Sequence, residues 1–238
     1  MLNRGQKKML EDRITDLDYS AIRNPQSAFI SIEGPEGAGK STHLNRLKAK
    51  LATAGYDVVV TREPGGTAIS DSIRAVLLDA GNDGMASLTE LLLYAAARAQ
   101  HVQELIIPAM EAGRIVICDR FTDSTIAYQG YGRGLDLELI RHLNDLATGA
   151  VYPHLTIILD LDPALGLERV SRLRHGDKDR LENEDISFHQ NVRRGFLRLA
   201  AEDAGRYRII DASRPIEDVF TSLFTAVMDY LRHSGWQA

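Results

Sequence analysis

The stretch Gly34-Pro35-Glu36-Gly37-Ala38-Gly39-Lys40-Ser41-Thr42 constrains this chain more than any other. It follows an apolar run, Phe29-Ile30-Ser31-Ile32. It precedes a helical pattern in which Leu44, Leu47 and Leu51 share a face and Arg46, Lys48 and Lys50 lie off it. The order is strand, glycine-rich turn, helix. Gly34, Gly39, Lys40 and Ser41 fit the G-x-x-x-x-G-K-[ST] phosphate loop. Glycines let a backbone wrap a phosphate so that successive N–H groups meet its oxygens, and the helix N-terminus adds partial positive charge. Gly37, Ala38 and Thr42 lie within that wrap. Lys40 is placed to reach the β- and γ-phosphates and Ser41 to hold Mg²⁺. A loop that merely caps a helix would not need this full pattern. The stretch implies a nucleoside triphosphate and Mg²⁺ but leaves the reaction open.

The 238 residues suffice for one sizeable domain. A net charge of −5 argues against a broad nucleic-acid surface, though not against a local basic pocket. Cys118 is the only cysteine, so no disulfide forms within the chain. No apolar run reaches the length of a membrane span. Residues 1–28 are polar, carry acids, and lack the apolar centre of a signal peptide. They read as an extension, mobile or forming a short helix, ahead of a domain over 29–238.

Beyond the loop, Val58-Val59-Val60 reads as a buried strand delivering Thr61-Arg62-Glu63-Pro64-Gly65-Gly66-Thr67 at its C-terminal end. Ligands bind at that end of open parallel sheets, so Arg62 is either an anion contact or a solvated side chain. Helices are expected over 68–78 and 89–109. Tyr94 and Arg98, four apart, share a helix face. They either stack on and bond a base or serve as a core ring beside a surface charge. Arg114–Cys118 is the third strand and ends in Asp119-Arg120. An acid there resembles the carboxylate that faces Mg²⁺ in phosphate-loop proteins; the other reading is a helix cap. Residues 121–134, rich in glycine and tyrosine, read as a loop. A helix over 135–147, a strand over 156–161, helices from Pro163 and over 186–204, a strand over 207–211 and a helix over 216–231 complete the chain. Arg169, Arg172, Arg174 and Arg180, with Gly176 among them, form either a solvated charge run or a basic flap. Strands alternating with helices predict an α/β fold: a three-layer α/β/α sandwich around a five-stranded parallel sheet, with a small helical lid at 169–180.

Six motifs in order carry a specific resemblance. They are Glu33–Thr42, Thr61–Thr67, Tyr94–Arg98, Asp119-Arg120-Phe121, Ser124–Gly130 and Asp211-Ala212-Ser213. The chain resembles the bacterial thymidylate kinases of the nucleoside monophosphate kinase family from about Phe29 to Leu231. The resemblance implies Mg²⁺-dependent transfer of the ATP γ-phosphoryl group to dTMP, in dTTP biosynthesis, by a cytoplasmic homodimer. It implies that Lys40 and Ser41 meet ATP and Mg²⁺, with Asp119 near the metal. It puts Glu36 near the acceptor sugar, and Arg62 and Arg120 near the acceptor phosphate. Tyr94 would stack on thymine and Arg98 would bond its edge. Pro64, Ser124, Tyr128 and Gln129 would complete the pocket. Some members carry a basic residue inside the phosphate loop; here that position is Gly37, so the catalytic arginine is expected on the lid, at Arg172 or Arg174. A kinase of the same fold acting on another nucleoside monophosphate or a deoxynucleoside is the nearest alternative. A GTP switch is disfavoured because no N-K-x-D motif is present.

Overall fold

The structure is a computed structural model that describes residues 27–173 and 179–236. Most of the expected extension and the lid residue Arg174 lie outside the described residues. Among the described residues the sheet has five strands, all parallel: β1 (Ala28–Glu33), β2 (Val58–Arg62), β3 (Ile115–Asp119), β4 (Leu155–Asp160) and β5 (Tyr207–Asp211), in the order β2-β3-β1-β4-β5. The central strands are apolar throughout because both faces are covered. Ile30, Ile117 and Ile157 face α1 (Lys40–Thr53) and α9 (Ile216–His233). Phe29, Val116 and Ile158 point to the other side, where the remaining helices gather. Val58–Val60 belongs to an edge strand, so Val59 and Val60 are only half-buried rather than enclosed as expected.

The helices α2 (Ala68–Leu78), α3 (Ser87–His101), α4 (Ile107–Glu111), α5 (Thr122–Thr125), α6 (Leu137–Thr148), α7 (Pro163–Leu173) and α8 (Ile186–Glu202) complete the described chain. The expected long helix over 89–109 is interrupted by a π-helical stretch, Val102–Ile106, between α3 and α4. The larger correction concerns residues 121–134. They are helical, α5 leading into a second π-helical stretch, Ile126–Gly132, and most are buried. Gly130 and Gly132 admit neighbours rather than make turns: a Cβ on Gly132 would lie 2.6 Å from the Phe188 ring, and one on Gly130 2.5 Å from Leu137. Gly134, with φ 75° and open space around it, does serve a turn.

β1 is flanked by β3 and β4, and the connections after β1 and β4 run towards opposite edges of the sheet. This opens a crevice at the C-terminal ends of the strands. Glu33, Arg62 and Asp119 sit at those ends. No helix among the described residues is long and apolar enough to cross a membrane.

Candidate active site

The phosphate loop leaves β1 and enters α1 through Gly39, whose φ of 84° is left-handed. α2, α6 and α8 are capped by Thr67, Asp136 and Asp185, whose side chains accept from first-turn N–H groups. α1 has no side-chain cap and no acid in its first turn. Its free N–H groups face the loop cavity and suit an anion. Lys40 is buried, and its Nζ donates to Gly34 O at 3.1 Å and Pro35 O at 2.8 Å. Burial, then the neighbouring Arg120 charge, lowers its pKa.

Gly37 is the loop position at which a basic side chain was weighed. A Cβ there would lie 2.1 Å from the Gly166 carbonyl oxygen of α7, and a Cβ on Gly166 would lie 2.2 Å from Glu36 O. The loop and α7 touch backbone to backbone, so no side chain fits between them.

Ser41 Oγ donates to Asp119 Oδ2 at 3.2 Å. Asp119 Oδ1 is buried with no hydrogen-bond partner among the described residues. Ser41 and Asp119 both line the loop cavity. An orphaned carboxylate oxygen beside a hydroxyl fits Mg²⁺, which takes one or two protein oxygens and fills its octahedron with water and phosphate. No group of three or more His, Cys, Asp or Glu able to hold a metal occurs among the described residues.

A second cavity adjoins the first. Of the residues expected around an acceptor, it brings together Glu36, Pro64, Tyr94, Arg98, Arg120, Ser124, Tyr128 and Gln129. The Glu63–Pro64 peptide is cis. Glu36 and Arg120 also line the loop cavity and form the shared wall. There Arg120 Nη2 donates to Glu36 Oε1 at 2.7 Å and Tyr128 OH donates to the same oxygen at 2.9 Å. Burial alone would raise the Glu36 pKa. Arg120, Lys40 and the Tyr128 hydroxyl outweigh it and hold the carboxyl at about 2. Arg120 Nη1 reaches Gly34 O at 2.9 Å and Ser124 Oγ at 3.3 Å. The Arg120 backbone is left-handed, φ 69°, an unfavourable region for any residue with a Cβ. Glu33, wholly buried at the end of β1, secures this corner by accepting from Phe121 N–H at 2.7 Å and Ser124 Oγ at 2.6 Å.

Arg98 reaches the cavity but is also a structural hub, only 2% exposed. Its Nε donates to Glu63 Oε2 and its Nη1 to Asn144 Oδ1, both at 2.7 Å. Its Nη2 donates to Phe121 O and Thr125 Oγ1. Five N–H donors less these four bonds leaves one without a partner among the described residues. The sequence reading thus found the residue but not its second task. Tyr94 lies one turn earlier on α3 and lines the same cavity.

Two expectations shift. Arg62 lines the loop cavity rather than the acceptor cavity, and it is exposed and paired with Asp71 at 2.8 Å. Arg74 was missed. It lines both cavities and donates to Pro64 O at 2.9 Å. Burial, then Arg62, lowers its pKa. One signal was available: Arg74 is the sole basic residue of α2, AISDSIRAVLL. The lid arginines divide. Arg169 donates to Ala212 O at 3.0 Å, and Arg172 pairs with Glu168 on the surface. Arg180 is buried, paired with Glu90 and donating to Leu77 O. Arg180 is therefore an anchor in this structure and not a free member of a charge run.

An uncapped glycine loop under a lysine, an acid at the next strand tip and an adjoining acceptor cavity define a phosphate-loop phosphotransferase. Comparison with known proteins narrows this class. A family model described as thymidylate kinase matches residues 32–223. A thymidylate kinase of Desulfovibrio desulfuricans is 51% identical over 212 residues, covering 87% of this chain and 98% of that protein. One from Citrifermentans bemidjiense is 53% identical over 211 residues, covering 87% and 94%. The crystal structure of thymidylate kinase from Ehrlichia chaffeensis superposes with a TM-score of 0.70 at 38% identity, covering 85% of this chain and 98% of that one. The chain belongs to the thymidylate kinase family.

Proposed function

We propose that this chain catalyses Mg²⁺-dependent transfer of the γ-phosphoryl group of ATP to dTMP, giving dTDP and ADP on the way to dTTP. The observation that carries the reading is the shared wall: Glu36 and Arg120 line both the phosphate-loop cavity and the acceptor cavity. Two phosphates held on either side of that wall meet in line. An acceptor phosphate oxygen then bonds to the γ-phosphorus as the bond to the β-bridging oxygen breaks.

The loop N–H groups, from Gly34 to Thr42, and Lys40 hold the donor phosphates. Ser41 and Asp119 would hold Mg²⁺, which when bound draws off the charge on the donor phosphates. Arg120 and Arg74 receive the acceptor phosphate, with Glu36 fixing Arg120. Tyr94 stacks on the base, Arg98 and Gln129 meet its edge, and Pro64, Ser124 and Tyr128 close the pocket. Arg172 or Arg174 supplies charge to the transferred group from the lid of a single domain over 29–238. Exposed Leu88 and Leu92 on α3, with Ile69 and Val76 on α2, give an apolar face that supports a homodimer. The reaction belongs in the cytoplasm, where ATP and nucleotide pools meet.

The test is ADP formation on adding dTMP, dUMP, dCMP, other monophosphates and thymidine in turn. A guanidinium only donates hydrogen bonds, and thymine has a carbonyl oxygen where cytosine has an amino donor. dTMP should be strongly preferred over dCMP. dUMP, lacking one methyl, should be poorer by roughly 10–200-fold. Equal use of dCMP and dTMP would refute the base assignment. Slow hydrolysis indifferent to acceptor would refute the kinase reading.

A further inference from the structure

Glu90, Tyr94 and Arg98 are spaced by four along α3 and share one helix face. Glu90 is wholly buried. Its Oε1 accepts from Gln129 Nε2 at 2.7 Å and Arg133 Nε at 3.3 Å. Its Oε2 accepts from Arg133 Nη2 at 3.1 Å and pairs with Arg180 Nη1 at 2.5 Å. Burial pushes the Glu90 carboxyl up, but the hydrogen bonds from Arg133 and Gln129 and the two guanidinium charges bring it below its ordinary value. The group is ionised and can only accept. The Gln129 amide must therefore turn its NH₂ towards Glu90; the reverse flip would set oxygen against oxygen. Gln129 lines the acceptor cavity, and its Oε1 takes no hydrogen bond among the described residues. Arg98, on the same cavity, can only donate.

We propose that Glu90 is a positioning residue for specificity: by holding the Gln129 amide in one orientation, it makes the cavity complementary to a base edge that carries a carbonyl oxygen beside an N–H. Thymine and uracil offer that pair at O4 and N3. Cytosine offers the inverse, an amino donor beside an unprotonated nitrogen. Arg98 reads one half of the edge and Gln129 the other, and Glu90 sets the polarity of the second half from outside the cavity. The inference rests on the dTMP reading and adds the residue that enforces it.

The test is the ratio of kcat/KM for dTMP to kcat/KM for dCMP in the parent, Glu90→Gln, Gln129→Leu and the double variant. Loosening Arg133 or Arg180 slows both substrates alike and cancels in the ratio. Each single variant should lower the ratio about ten- to a hundredfold, the scale of one mismatched buried hydrogen bond. The double variant should be no worse than Gln129→Leu, because Glu90 acts through Gln129. A parental ratio in Glu90→Gln, or fully additive losses in the double variant, overturns the proposal. A second measurement needs no Glu90 variant. The Gln129 side-chain amide protons, assigned by their loss in Gln129→Leu, should exchange slowly in the free parent and keep their partner when dTMP binds. Rapid exchange overturns the proposal even if Glu90→Gln does not fold. A parent without preference for dTMP would instead sink the functional reading, leaving the amide measurement to judge Glu90 separately.

Discussion

The two cavities that meet at Glu36 and Arg120 are built from different materials. The phosphate-loop cavity takes about half its lining from one continuous stretch, 36–42, and the rest from residues such as Arg62, Arg74, Asp119 and Arg120. Its attraction for phosphate resides in backbone N–H groups and an uncapped helix end. The acceptor cavity gathers side chains from distant segments and suspends them on buried acids: Arg98 on Glu63, Gln129 on Glu90, Ser124 on Glu33. In the first region chemistry and stability are separable. In the second the same side chains serve both, so losing one member strands a buried charge.

Ways to break this contrast run from large effects to small. The basic segment 169–180, which begins in the last turns of α7, should give the greatest loss. Arg172→Ala or Arg174→Ala should lower kcat by roughly 10³–10⁵-fold with little change in KM for ATP, as for other arginines that meet the phosphoryl group in transit. Steady-state kinetics on all four lid arginines checks this; effects within a few-fold throughout would make the segment a solvated surface. Lys40→Ala should cost about 10²–10³ in kcat while thermal unfolding stays close to the parent. Near-normal turnover in that folded variant would undo the phosphate-loop reading.

Arg98→Ala should behave in the opposite way. It breaks a buried pair with Glu63, so urea unfolding should show a loss of about 3–5 kcal/mol, with selectivity eroded as well. An unchanged midpoint would erase the distinction between the two regions.

Glu33 gives a pH signature of the buried side. Burial and then the neighbouring Asp123 charge push its pKa up to about 7, against the opposing pull of Ser124, Arg120 and the Phe121 N–H. The folded protein then holds a proton that the unfolded chain releases near 4.5. Its contribution is full below 4.5 and falls as pH rises to 7, by about 3 kcal/mol. Unfolding curves across that range should show the decline in the parent and lose it in Glu33→Gln. The smallest effect is expected from removing residues 1–26: a chain starting at Ser27 should keep its turnover, and loss of both activity and dimer would make the extension part of the assembly.

The same contrast explains how much the sequence revealed. The phosphate loop is local, and its pattern was legible residue by residue. The bounds of Ala68–Leu78 and Tyr207–Asp211 were legible too, because capping residues and β-branched runs act at short range. The π-helical stretches were not. A change from four-residue to five-residue hydrogen bonding leaves no mark in apolar periodicity, and glycines admitted for close packing at Gly130 and Gly132 resemble glycines admitted for turns. Glu90 escaped notice because its partners Gln129, Arg133 and Arg180 are far away in the chain, and Arg74 because its partner, the Pro64 carbonyl, lies across a turn that helix periodicity does not register. Arg62 drew attention by sitting in a motif, yet Asp71 holds it outside the acceptor cavity.

The meeting of Gly37 with Gly166 has an evolutionary consequence. The Gly166 backbone occupies the volume that a side chain at 37 would need, and the Glu36 carbonyl occupies the volume that a side chain at 166 would need. No single substitution can then carry a catalytic arginine from the lid into the loop, because the intermediate with one side chain and an unmoved α7 is sterically blocked. Position 37 is closed by a residue 129 places downstream. A lineage that adopted this contact is committed to delivering its charge from above, and only a prior shift of the α7 backbone reopens the other route.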